Sequence, residues 1–189
     1  EGELFCVLLA PNGERSNLTD GQWRQVRTPA FKAWFGDWEK AARKRFLEGA
    51  PVASMRGDEV PRFARFGELA AWAATHWKDT GRSVVRNSAL GDVTLDRRAA
   101  KESISHGMSS IKGQALWLVP DIVERGVLIG SRANDAGRDL DWFTLAAPVR
   151  IGTQDMYAIA VVKRSPNRQS MLCQTKVKPR PNGWTSNAN

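Results

Sequence analysis

The sequence predicts an α+β fold in which N-terminal helices pack on a roughly four-stranded antiparallel sheet. Three observations carry that expectation. Apolar side chains recur at helical spacing in "TPAFKAWFGDWE" and "RFARFGELAAWAATHWKDTG". After Gly126 the runs are β-rich only: "VLIG", "DWFTLAAPVRI", "MYAIAVVKR" and "QSMLCQTKV". Helices first and a meander of strands after them is the order of an antiparallel sheet with helices segregated onto one face.

Taken in order, "SNLTDGQWRQVRTPAFKAWFGDWEKAARKRF" reads as two helices. Thr19 or Asp20 caps the first, with Leu18 placed for a hydrophobic staple, and Thr28 with Pro29 opens the second. Phe31, Trp34, Phe35 and Trp38 fall at i, i+3, i+4 and i+7, an aromatic face expected to pack on the rest of the domain. "EGAPVASMRGDEVP" is a connection with a short strand at Val52 to Met55. In the next helix Phe66, Leu69, Ala70, Ala73 and Trp77 share the buried face, and Gly81 ends it. His76 lies late in that helix, where an imidazole meets the helix C-terminus rather than a substrate.

"SVVRN" and "DVTL" are short strands, and "DRRAAKESISHG" is a helix with Asp96 as N-cap. "IKGQALWLVPDIVERG" is helical with a break at Pro120 and a stop at Gly126. The tight turn "GTQD" joins two long strands into a hairpin. The chain is thus divided into a helical linker or accessory segment (1–48), an α+β domain (49–178) and a loose Pro/Gly/Asn-rich tail (179–189).

Composition narrows the function classes. The 42% hydrophobic and 25% charged content is that of a globular chain. No apolar run approaches the roughly 20 residues of a membrane span, and no secretory signal is read. The chain starts at Glu1, which suggests a piece cut from a longer protein. Cys6 and Cys173 have no metal-ligand spacing and read as ordinary thiols. Residues 1–80 carry 12 Lys and Arg against 11 Asp and Glu, while residues 81–189 carry 16 against 9. The positive field therefore belongs to the second half, and nucleic acid is the leading partner. Phosphate-cradling loops and the common hydrolase signatures are missing. Asp135, Asp139 and Asp141 lack the spacing of a calcium loop. No metal and no cofactor is expected.

The remaining chemistry is basic residues, one histidine and hydroxyls. Arg98, Lys101 and Ser105 can share one helical face, with His106 beside them. An imidazole titrates near about pH 6.5, so small changes carry it across neutrality. Metal-free RNA cleavage needs a base for the 2′-hydroxyl proton, an acid for the leaving 5′-oxygen and cations for the charge on phosphate. His106 is the candidate acid or base, with Lys101 and Arg98 on the scissile phosphate. Lys112, and Lys163 with Arg164 at a strand end, are further candidates for the same cleft. Two rivals stand beside this reading: a non-catalytic nucleic-acid-binding module, and a protein-binding or protein-modifying effector module.

"APNGERSNLTDGQWRQVRTPAFKAWFGDWE" resembles the segment that recurs between domains of the large polyvalent proteins of phages and conjugative elements. "VTLDRRAAKESISHG", "KGQALWLVPDIVERGVLI", "LAAPVRI" and "YAIAVVKR" are similar to a nuclease-like domain of those proteins, placed in the superfold of barnase, EndoU, the tRNA-cutting colicins and RelE-type toxins. The resemblance implies helices on a four-stranded antiparallel sheet and metal-independent endoribonuclease activity, as a toxin or effector module. By position it implies His106 as the functional histidine, Arg97, Arg98 and Lys101 as its basic helix, and Thr144 and Lys163 as strand-borne polar groups. It also implies RNA as partner, with tRNA one candidate, an immunity or antitoxin protein as another, no membrane, and the cytoplasm of a target or host bacterial cell as the place of action.

Overall fold

The computed structural model describes residues 16–105, 110–132, 141–164 and 174–179. Among them run α1 (Asp20–Gln25), α2 (Pro29–Phe35), α3 (Trp38–Glu48), β1 (Ala53–Met55), α4 (Phe66–Asp79), β2 (Val84–Asn87) and β3 (Gly91–Thr94). There follow α5 (Arg97–Ser105), α6 (Ser110–Arg125), β4 (Val127–Arg132), β5 (Asp141–Ile151), β6 (Gln154–Arg164) and β7 (Gln174–Pro179). The fold is α+β. Cys6, Cys173, Asp135, Asp139 and the expected tail beyond Pro179 lie outside the described residues.

The sheet is built around the β5–β6 hairpin. Gly152, at φ +60, opens the turn that places Ile151 opposite Gln154, and the pairing runs without a slip to Asp141 opposite Arg164. β4, β5, β6 and β7 form the four antiparallel strands the sequence predicts, and β1 joins as a fifth, parallel to β5. Both β4 and β1 use the side of β5 away from β6: β4 pairs with Trp142 to Ala146, and β1 with Val149 to Ile151. Pro148 sits at this handover. Its carbonyl accepts from the Val52 N–H at 2.8 Å. The N–H and C=O of a strand residue point the same way, so the donor that proline lacks would have faced the handover, and the β5–β6 ladder loses nothing.

Alternation along β5 and β6 sorts the two faces. Leu145, Ala147, Val149, Ala158, Ala160 and Val162 are fully buried under the helices. From α4 come Leu69, Ala70, Ala73 and Trp77, and from α6 Leu116, Val119, Ile122 and Val123. Phe66, expected on the buried face, is 61% exposed as the first residue of α4, where no described element packs over it. β2 and β3 make a separate hairpin. Asn87, buried at its turn, donates from Nδ2 to the carbonyls of Val123 and Gly126 at 2.7 and 3.0 Å, and its Oδ1 accepts from the N–H of Ala89 and Leu90. One amide thus satisfies both the hairpin turn and the end of α6.

The break expected at Pro120 does not occur, for α6 runs straight through it. Proline removes the N–H that would bond the carbonyl of Leu116. The buried indole of Trp77 supplies the substitute, donating from Nε1 to that carbonyl at 3.2 Å.

The N-terminal helices depart from expectation. Thr19 closes a capping box with Gln22, and Thr28 caps α2 with Pro29 in its first turn, as the sequence predicts. Gly36, at φ +81, then ends α2, and Asp37 caps a new helix, so Trp38 leaves the aromatic stripe. Its indole donates to the Val26 carbonyl and meets Trp23 edge to face. Trp34 and Phe35 are left 86% and 73% exposed instead of packed on the domain. The segment is tied together by Glu39, which bonds Lys32 and Arg27 at 2.8 and 2.7 Å, while the Arg27 guanidinium lies over Trp23.

Candidate nucleic-acid interface

α5 starts as the sequence predicts, with Asp96 Oδ1 accepting from the Ala99 N–H at 2.8 Å. Ala99, Ala100, Ser103 and Ile104 are buried, which turns Arg97, Arg98 and Lys101 to the solvent side. Glu102, one turn after Arg98, sits 3.7 Å from the Arg98 Nε and accepts from Lys163 Nζ at 2.9 Å. Arg98 on a helix and Lys163 on β6 therefore share one carboxylate, despite a long separation in sequence.

Lys163 leads onto the outer face of the sheet. Its ammonium lies 4.3 Å from the centre of the Trp142 ring, and the Arg132 guanidinium lies 5.8 Å from the same ring. Arg132, Trp142 and Lys163 are directly opposite one another on β4, β5 and β6, so the three form one cross-strand row. The next row holds Gly130, Thr144 and Val161. Gly130, Ser131, Arg132, Trp142, Thr144 and Val161 line a groove of about 370 Å³. Thr144 is thus in this groove, two residues from Trp142. The spacing of basic residues did not reveal Arg132 or Trp142.

The other candidates are placed differently. Arg164 follows Lys163 directly, and strand alternation sends it to the helix-covered side. There its Nη2 donates to the Leu90 carbonyl at 2.9 Å and the guanidinium lies over Phe143. It ties the β2–β3 hairpin to β6 and is not brought together with Lys163. Arg98, Lys101 and Lys163 are on described elements, while His106 lies outside the described residues. The side chains of Ser105, at the end of α5, and Lys112, in α6, also lie outside them.

His76 lies in the last turn of α4, where the sequence places it. Its imidazole stacks beside both Trp72 and Trp117, with ring centres 5.3 and 4.2 Å away, and the two indoles also lie 6.2 Å from each other, so the three rings form one cluster. Burial against these rings holds its pKa below the ordinary histidine value, with the charge of Asp79 pulling the other way. Among the described residues no three His, Cys, Asp or Glu side chains gather as metal ligands. No described helix is long and apolar enough to cross a membrane.

What the row offers chemically is a flat ring flanked by two cations, with Arg98 of α5 joined to it through Glu102. Such a ring has the chemistry to stack on an unpaired base, and cations beside it have the charge to meet phosphates. Comparison with curated proteins and with solved structures gives no match. The model of the family described as large polyvalent protein-associated domain 3 matches residues 64–172, which includes α4, α5, α6 and β2 to β6. That match covers more than half of the chain, and the protein belongs to the large polyvalent protein-associated domain 3 family.

Proposed function

We propose that this domain binds single-stranded RNA across the outer face of its sheet and cleaves it without a metal ion at the end of α5. The observation that carries the reading is the unbroken run of contacts from Arg98 through Glu102 and Lys163 to Trp142 and Arg132. It joins the basic helix to a stacking ring, so one strand can touch both. In this reading a base stacks on Trp142, and Lys101, Arg97 and Arg98 meet the phosphates. His106, which follows the last residue of α5, takes the proton of the 2′-hydroxyl. The 2′-oxygen attacks phosphorus, the bond to the 5′-oxygen breaks, and that oxygen leaves with a proton taken from water. The products are a 2′,3′-cyclic phosphate and a 5′-hydroxyl. The similarity of "SISHG" and its flanking blocks to the nuclease-like domains of polyvalent proteins supports this chemistry, and a role as a toxin or effector module goes with it.

The second reading is binding without cleavage, and the cation–ring–cation row favours it because that row needs no catalytic group. Labelled single-stranded RNA, followed by anisotropy for binding and by gel for fragments, separates the two. Binding with fragments supports the first reading, binding with intact RNA the second, and no binding rejects both.

A further inference from the structure

A second cavity, of about 630 Å³, opens between the β1–α4 connection and the start of α6. Its walls include Val60, Phe63 and Leu69, and the exposed Phe66 stands at its rim. Phe63 is held from behind by Trp72, with ring centres 5.9 Å apart. Arg62 and Arg65 line the same cavity and make no ion pair among the described residues. Two nearby carboxylates, Asp58, which also lines the cavity, and Glu59, have partners of their own. Glu59 accepts from the backbone N–H groups of Arg56, Gly57 and Asp58 at 2.7, 2.8 and 3.1 Å, and Asp58 pairs with Arg56 at 3.4 Å. Gly57, at φ +102, permits the turn that aims those groups at Glu59. Gln114 spends one N–H on the Gly57 carbonyl, and its amide otherwise lines the cavity.

We infer that this cavity binds a nucleoside monophosphate. The cavity lies within the usual range of roughly 300–1,000 Å³ for small-ligand sites. Phe63 and Phe66 offer flat apolar surface to a heterocycle. The Gln114 amide, which both donates and accepts, suits the polar edge of a base. Two guanidiniums free of carboxylates suit a phosphate dianion, which they bind through charged, forked hydrogen bonds. A purely apolar ligand would leave both arginines without a role, and inorganic phosphate would leave the walls empty. The site is separate from the sheet row proposed to carry RNA and does not depend on that proposal.

The test is calorimetric titration of the full chain with AMP, GMP, CMP and UMP, and with adenosine and inorganic phosphate as controls. At least one mononucleotide is expected to bind in the micromolar to low-millimolar range. Adenosine and phosphate are each expected to bind at least about tenfold more weakly, as is the best mononucleotide to an Arg62→Ala/Arg65→Ala protein. Both arginines are exposed, so that variant keeps its core. A Trp142→Ala/Lys163→Ala protein is expected to keep the parental affinity. No binding by any mononucleotide, or equal affinity in the Arg62→Ala/Arg65→Ala protein, overturns the inference. Loss of mononucleotide binding in the Trp142→Ala/Lys163→Ala protein also overturns it, since the ligand then sits on the sheet, and the RNA proposal survives.

Discussion

The indole N–H of Trp77 donates to the carbonyl of Leu116, the group that Pro120 deprives of its helical donor. One side chain of α4 thereby repairs the hydrogen-bond ladder of α6 and joins the two helices under the sheet. Trp77→Phe keeps an aromatic ring and removes the donor, with an expected cost of about 1–3 kcal/mol from the unsatisfied carbonyl, plus whatever cavity the smaller ring leaves. On a Pro120→Ala background the restored N–H serves Leu116, and the cost should fall while the cavity contribution stays. Urea midpoints for the four proteins of this cycle check it; equal costs on both backgrounds contradict it.

Glu102 holds Lys163 and Arg98 together on its carboxylate. The pair with Lys163 is partly exposed, so Glu102→Gln is expected to cost no more than about 1 kcal/mol of stability. It should also release two cations for phosphate, tighten RNA binding and steepen its dependence on salt. Affinity measured from low to physiological salt gives the answer, and an unchanged slope speaks against a phosphate role for these cations.

The stacked imidazole of His76 makes stability depend on pH. Its folded pKa lies below the ordinary value of about 6.5, so the unfolded chain takes up the proton first as pH falls. The stabilisation is full above about pH 6.5, and it is lost as pH drops from there through the folded value. The difference in urea midpoint between the parent and His76→Gln should therefore shrink between pH 8 and pH 5. A constant difference contradicts the burial assigned to this ring.

Much of the fold was legible because the information is local. Thr19, Thr28 and Asp96 stand where caps are needed, and "GTQD" fixes a hairpin whose partners can be counted outward from Ile151 and Gln154. That same count puts Trp142 opposite Lys163, so half of the cation–ring row was within reach of the sequence. The other half was not. Arg132 reaches the row through a pairing that shifts between Leu128 and Gly130, and no local signal announces that irregularity. Pro120 misled for a related reason: its remedy, Trp77, comes from a distant helix. The aromatic stripe failed at Gly36, a single residue whose positive φ ends one helix and lets Asp37 start another. Charge spacing singled out Arg98 and Lys163 but could not reveal Glu102, the carboxylate that they share.

Trp142 is the proposed stacking surface. Trp142→Ala is expected to weaken binding of single-stranded RNA by about 1–3 kcal/mol, or roughly fivefold to 150-fold. Duplex RNA keeps its bases stacked on one another and should respond far less. Equal losses for both RNAs would reduce Trp142 to a packing residue.

In the proposed reaction RNA is cut at the end of the basic helix α5. This is tested most directly by incubating single-stranded RNA with the parent and with His106→Ala in the presence of EDTA, and analysing the ends formed. The parent is expected to give fragments ending in 2′,3′-cyclic phosphate, and the variant to bind the same RNA while cutting it at least about a hundredfold more slowly. Intact RNA with the parent, or equal cutting by the variant, contradicts the proposed reaction.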